Sequence, residues 1–134
     1  MSSDDNVKTV QTIYDAFGRG DLATILDGLA DDVDWGSEAA STEIPWWGVR
    51  HGKEATADFF AQLAANEELL EFTPLVMLGE GDDVLSLVRY RAKAKNTGKT
   101  DDMEIHHHFC FRGGKIARYR GSEDTLQTLS AFQS

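Results

Sequence analysis

The hydrophobic period of this chain changes at one place. Up to Asn66 the clear apolar runs recur every three to four residues; after it they recur every two. The first spacing lines one face of a helix and the second lines one face of a strand. Val7, Val10, Ile13, Tyr14 and Phe17 form one helical face, with Ser3, Asp4 or Asp5 available as its cap. Gly18-Arg19-Gly20 stops that helix, and Asp21 caps a second one with Leu22, Ile25, Leu26 and Leu29 inward. Val33 and Trp35 alternate with acids, which predicts a short strand, and Gly36 to Pro45 reads as loop. A third helix spans Gly52 to Ala65, with Ala55, Phe59, Phe60 and Leu63 inward.

Beyond Asn66 the predicted strands are Leu69–Leu78, Val84–Ala94, Thr100–Phe111 and Lys115–Arg120. Glycine-bearing turns separate them, so they form an antiparallel meander. Pro74 cannot donate to a ladder, which puts its strand at an edge or a bulge. A last helix runs from about Ser122 to Phe132, with Leu126, Leu129 and Phe132 on one side. Helices segregated from a meander make an α+β fold. Long strands with helices on one face favour a curved sheet wrapped around a helix, leaving a concave pocket.

A chain of 134 residues is expected to form one domain, residues 1–134. Its net charge of −10 opposes binding to nucleic acid or an anionic membrane. No stretch approaches eighteen apolar residues, and the acidic start is unlike a secretory signal. One cysteine, Cys110, rules out an intrachain disulfide. The expectation is a cytoplasmic protein.

His106-His107-His108 lies within a strand, so alternation sends His107 to one face and its neighbours to the other. The His107 face also carries Met103, Ile105, Phe109 and Phe111. A lone imidazole among apolar groups is the usual setting of a tuned acid or base, or of a neutral core histidine. His106 and His108 are spaced for a metal, but the strand lacks further ligands, and no metal or cofactor is expected. All three tryptophans, Trp35, Trp46 and Trp47, fall within thirteen residues. Such rings suit a ligand pocket, and one of the adjacent pair is expected to face it. A two-residue Gly113-Gly114 loop would turn Arg118 and Arg120 toward His107. A three-residue loop with a glycine bulge turns Ala117 and Tyr119 there, and is favoured because the strand offers no counter-charge for two arginines. No G-x-S-x-G, P-loop or G-x-G-x-x-G motif is present.

Five segments resemble the nuclear transport factor 2-like superfamily. Tyr14 to Leu22 resembles its "YxAFxxGDL" opening, and Ala30-Asp31-Asp32-Val33 its "ADDV". His51 to Ala55 resembles its glycine-led third helix, Phe109 to Ile116 its "FxFRDGKI" hairpin, and Asp124 the aspartate that opens its last helix. The nearest likeness is to SnoaL-like domains, relatives of ketosteroid isomerases and polyketide cyclases. The resemblance implies an α+β cone with an apolar pocket, and a homodimer burying the outer sheet face around His106 and His108.

It also implies roles. His107 falls where the isomerases hold a protonated aspartate that donates to the substrate. Ser37 falls where they hold the catalytic base, and Ile13 where they hold a tyrosine, with Tyr14 one step off and read as core. Asp34 and Glu38 are the nearby carboxylates. The expected function is binding of a small, mostly apolar or aromatic molecule. If there is chemistry, it is isomerisation, dehydration or cyclisation, with His107 and Tyr119 catalytic and Trp35, Trp46, Trp47, Phe59, Met103, Ile105 and Phe109 binding. The alternative is a non-catalytic ligand-binding or oligomerisation module. A carboxylate beside His107 separates the two.

Overall fold

Ser2, one residue earlier than expected, caps the first helix. Its side chain accepts from the Asp5 amide while Asp5 reaches back to the Ser2 amide. This reciprocal box needs the acid three residues after the cap, which Ser2 has and Ser3 lacks. The computed structural model describes residues 2–134. Helix α1 spans Ser3–Gly18 and α2 Leu22–Asp27, the latter capped by Asp21 as expected. Strands β1 (Leu29–Ser37) and β2 (Gly48–His51) follow, then α3 (Lys53–Asn66). The meander comprises β3 (Glu67–Glu80), β4 (Asp83–Ala94), β5 (Thr100–Arg112) and β6 (Lys115–Ser122), and α4 (Thr125–Phe132) closes the order.

The six strands form one curved, unclosed sheet in the order β2-β1-β6-β5-β4-β3, with the N-terminal helices against it. One pairing departs from the antiparallel expectation: β1 lies parallel to β6. A strand's own alternation says which face is buried but not which way its neighbour runs. β2 carries no legible sequence signal, because four residues, alternately half-buried and exposed, are too short a pattern. Pro74 is accommodated twice over, on the edge strand β3 and beside a register shift between Pro74 and Val76.

The β5–β6 hairpin combines both loops considered above. Arg112 pairs with Lys115 across a two-residue turn whose glycines both have positive φ, 58° and 79°. Phe111 then pairs with Ile116, and the register slips so that Cys110 meets Arg118 and Phe109 meets Tyr119. The bulged residue is therefore Ala117, not a glycine, and Tyr119 is buried at 7% exposure. Arg118 and Arg120 are released to partners outside the core: Arg120 bonds Glu38 at 2.7 Å and Asp34 at 3.1 Å.

The last helix also needs correction. It starts at Thr125 with Asp124 as its cap, and Leu126 is 73% exposed. The face it buries is Thr128 and Ala131, flanked by the half-buried Leu129 and Phe132.

Candidate functional site

The concave side of the sheet and helices α1 and α3 enclose a cavity of about 100 Å³. Aromatic rings make most of its wall: Phe17, Trp35, Trp46, Phe59, Phe60, Phe72, Phe109 and Tyr119. An apolar cavity of about 150 Å³ holds a benzene molecule. The cavity here is smaller than that.

Strand alternation delivers His107 to this wall. Ser86, its partner on β4, faces inward beside it, and α1 supplies Tyr14 from above. The Tyr14 hydroxyl lies 2.6 Å from His107 Nδ1 and 2.5 Å from Ser86 Oγ. A neutral imidazole has one donor and one acceptor nitrogen. Two proton arrangements fit these positions. If Tyr14 donates to Nδ1 and Ser86 to Tyr14, Nε2 is a donor. If Nδ1 donates to Tyr14 and Tyr14 to Ser86, Nε2 is an acceptor. Among the described residues Nε2 has no hydrogen-bond partner, so either capacity is free for an occupant. Burial, reinforced by the His106 charge, pushes His107 down to about 3, so the ring is neutral at ordinary pH.

Tyr119 stacks on Trp35 with centroids 4.0 Å apart and meets His107 at 5.2 Å. Its hydroxyl makes no hydrogen bond among the described residues, and burial raises it well above the ordinary tyrosine value. Gly121 makes room for it: a Cβ at that position would stand 2.4 Å from the Tyr119 hydroxyl oxygen. Trp35 is 3% exposed, and its indole N–H is buried without a partner. His107, Tyr119 and Trp35 thus bring three unspent polar groups to one wall.

Glu67 and Glu123 also line the cavity. Glu67 is 7% exposed and accepts from the Tyr90 hydroxyl. Burial, with Asp101 and Glu123 nearby, pushes Glu67 up to about 8. Glu123 accepts from Trp47 Nε1 at 3.0 Å and from the Thr128 hydroxyl.

Of the expected binding residues, Trp35, Trp46, Phe59, Ile105 and Phe109 line the cavity. Trp47 and Met103 do not. Trp47 is buried with its N–H turned to Glu123, because adjacent residues cannot both face one wall. Met103 is inward and buried but lies past Ile105, where Tyr90 on the paired strand takes the wall position. Asp34 and Glu38 are held by Arg120 and do not line the cavity, whereas Ser37 does.

Tyr14, read as core, is the direct partner of His107. Its place on the inward stripe of α1 was visible; its hydroxyl's reach to β5 was not. Glu67 was missed because it stands where the period changes and no facing can be assigned. On the outer face, Asp83, His108 and Cys110 bring one ligand atom each within 4.8 Å of one another; Asp83 had not been considered. The His108–Asp83 contact is 2.8 Å, and Asp83 raises the Cys110 thiol further after burial.

The SnoaL-like domain family matches residues 10–119. An NTF2-like protein of unknown function from Burkholderia pseudomallei is 25% identical, with TM-score 0.90 and all of both chains covered. An NTF2-like protein from Burkholderia xenovorans is 26% identical, with TM-score 0.88 and 99% of each chain covered. TerC, co-crystallised with polyporic acid, shares the fold at 22% identity and TM-score 0.84, over 97% of this chain and 99% of its own. No curated protein matches the sequence. Proteins assigned as isomerase, epoxide hydrolase and polyketide cyclase share the fold as well, so the fold alone selects no reaction.

Proposed function

The chain belongs to the SnoaL-like domain family, and we propose that it binds a small, mostly apolar molecule in the cone cavity. One observation carries this reading: an aromatic wall holds three polar groups, on His107, Tyr119 and Trp35, that no other described residue uses. A buried polar group without a partner is costly, and an occupant bearing one polar atom would relieve that cost. If a reaction occurs, it is acid–base chemistry. Neutral His107 donates to or accepts from the substrate oxygen, and Tyr119 assists. Glu67, neutral at pH 7, supplies a carboxylic acid proton. Among the described residues no carboxylate contacts His107, whose partner is Tyr14. By the carboxylate criterion above, that favours the non-catalytic binding module; if a reaction occurs, His107 acts by hydrogen-bond stabilisation and not as a strong base.

The test compares His107→Ala with His106→Ala, which sits on the opposite face and is exposed. Acetophenone, a one-ring ketone, is titrated by calorimetry. His107→Ala is expected to weaken binding by roughly 1–3 kcal/mol and His106→Ala to leave it unchanged. Equal loss in both would overturn the site.

A second copy of the chain is proposed to cover the outer face of β3 and β4. Val76, Leu78 and Leu85 are 45%, 65% and 55% exposed there, and Leu85 pairs beside His108. Apolar groups clustered in this way mark an association surface. Sedimentation velocity at micromolar concentration is expected to show a dimer, and Leu85→Glu a monomer. Among the described residues no helix is long and apolar enough to cross a membrane. Work in the cytoplasm is part of the same proposal.

A further inference from the structure

Three carboxyl groups gather at the far end of the inner sheet face. Tyr90 lies four residues along β4 from Ser86, and Asp101 six residues along β5 from His107. Glu67 opens β3 next to this end, and Glu123 reaches it from the β6–α4 connection. Glu67 and Asp101 are 7% and 3% exposed. Among the described residues none of the three has a Lys, Arg or His ion-pair partner within 4.0 Å. Their side-chain hydrogen-bond donors are all neutral: Tyr90 for Glu67, and Trp47 and Thr128 for Glu123. Asp101 Oδ1 is buried without a hydrogen-bond partner among the described residues, and the carboxyl is helped only by the Ala92 backbone N–H. Glu67 lies close enough to Asp101 and Glu123, and Asp101 to Glu123, for ionisation of the first two to be opposed; with no cation among them, the three form an incomplete electrostatic arrangement.

We propose that the cavity's occupant carries a protonated amine, held at the Glu67–Glu123 end, with its apolar body among Trp35, Phe59 and Phe72. This rests on the reading of the cavity as a ligand site and adds the ligand's charge. An ammonium offers three N–H donors to the carboxylate oxygens. Tyr90 and Trp46 also line the cavity, and an aromatic ring attracts a cation placed over its face. A hard metal cation fits less well, because its retained waters and oxygen ligands need a polar shell, and apart from Glu67 and Glu123 the described wall is mostly aromatic. The chain's net charge of −10 draws organic cations to the protein from solution.

Without an amine, a proton neutralises Glu67 at pH 7. Burial raises Glu67 to about 8 and Asp101 to about 6. An entering ammonium replaces a proton: Glu67 ionises, its proton leaves to solvent, and the charge of the site is conserved.

The experiment titrates benzylamine, benzyl alcohol and benzoate into the intact protein by calorimetry at pH 7. Phosphate and Tris buffers, with different ionisation heats, report proton release. Benzylamine is expected to bind about 10- to 100-fold tighter than benzyl alcohol, as for a hydrogen bond to a charged group. About one proton should leave per amine bound, and benzoate should bind least. Glu67→Gln should bring the amine-to-alcohol ratio close to one, and Glu123→Gln should lower it. Benzyl alcohol binding as tightly as benzylamine, without proton release, would overturn the amine and leave the cavity reading standing. Failure of all three to bind would overturn both.

Discussion

The two ends of the cavity meet the same environment with opposite chemistry. At one end burial strips the proton from a base, and His107 is neutral at pH 7. At the other it keeps the proton on an acid, and Glu67 is neutral too. Desolvation penalises whichever form is charged, so one apolar wall moves the two groups in opposite directions. The ends differ in what surrounds them. His107 is tied into a hydroxyl chain through Tyr14 and Ser86 that satisfies one nitrogen and leaves the other free. Glu67 sits among further acids, and among the described residues only the Tyr90 side chain donates to it. The first end is suited to a neutral polar atom and the second to a cation.

The wall common to both ends is the place to break this comparison hardest. Trp35 is 3% exposed, stacks on Tyr119 and packs near Phe59 and Phe60. Trp35→Ala is expected to cost about 3–5 kcal/mol in urea unfolding. A loss under about 1 kcal/mol would mean that the rings do not form a packed wall.

The next effect separates the ends by pH. Folded Glu67 holds its proton up to about 8, whereas its ordinary value is 4.5. Between those values the folded protein binds more protons than the unfolded one, so stability falls as pH rises. His107 acts in reverse. The folded ring resists protonation down to about 3 against an ordinary 6.5, so stability falls as pH drops below about 6.5. The two slopes oppose each other between 4.5 and 6.5, and Glu67 acts without His107 above that window. Urea unfolding of the native protein should lose about 2 kcal/mol from pH 6.5 to 8, where Glu67 titrates without His107 and above Asp101. Glu67→Gln should flatten that decline. An unchanged decline in the variant would show that Glu67 is solvated.

The smallest effect is confined to the His107 end. A Cβ at position 121 would sit 2.4 Å from the Tyr119 oxygen and 3.6 Å from His107 Cδ2. Gly121→Ala should therefore cost about 1–3 kcal/mol from overpacking. It should weaken acetophenone binding while leaving the alkaline stability decline in place. Loss of that decline as well would couple the two ends.

These ends were not equally legible in the sequence. His107 could be placed because β5 alternates without a break from Met103 to Phe111, so parity alone decides its face. The meander and its turns were readable for the same reason. Tyr119 was harder, since its face depends on a bulge. The bulge fell at Ala117 and not at a glycine, and what determined the facing was the exclusion of two arginines from an uncompensated interior. Glu67 was not readable: it is the first residue after the period changes, where neither helical nor strand parity applies. The parallel β1–β6 pairing and the Tyr14–His107 contact lie beyond local pattern too, because each joins residues more than eighty positions apart. Leu126 shows the converse error, a strong apolar periodicity on a helix whose buried face is set by Thr128 and Ala131.

The central claim is that the inner cavity, and not the apolar outer face of the sheet, receives the small molecule. Methyl-labelled NMR during titration with benzyl alcohol tests it most directly. Ile13 and Ile105 line the cavity, whereas Leu78 and Leu85 are exposed on the outer face. The account predicts progressive shifts of the Ile13 and Ile105 methyl signals, with Leu78 and Leu85 unmoved. Shifts at Leu78 and Leu85 with the two isoleucines unchanged would contradict it.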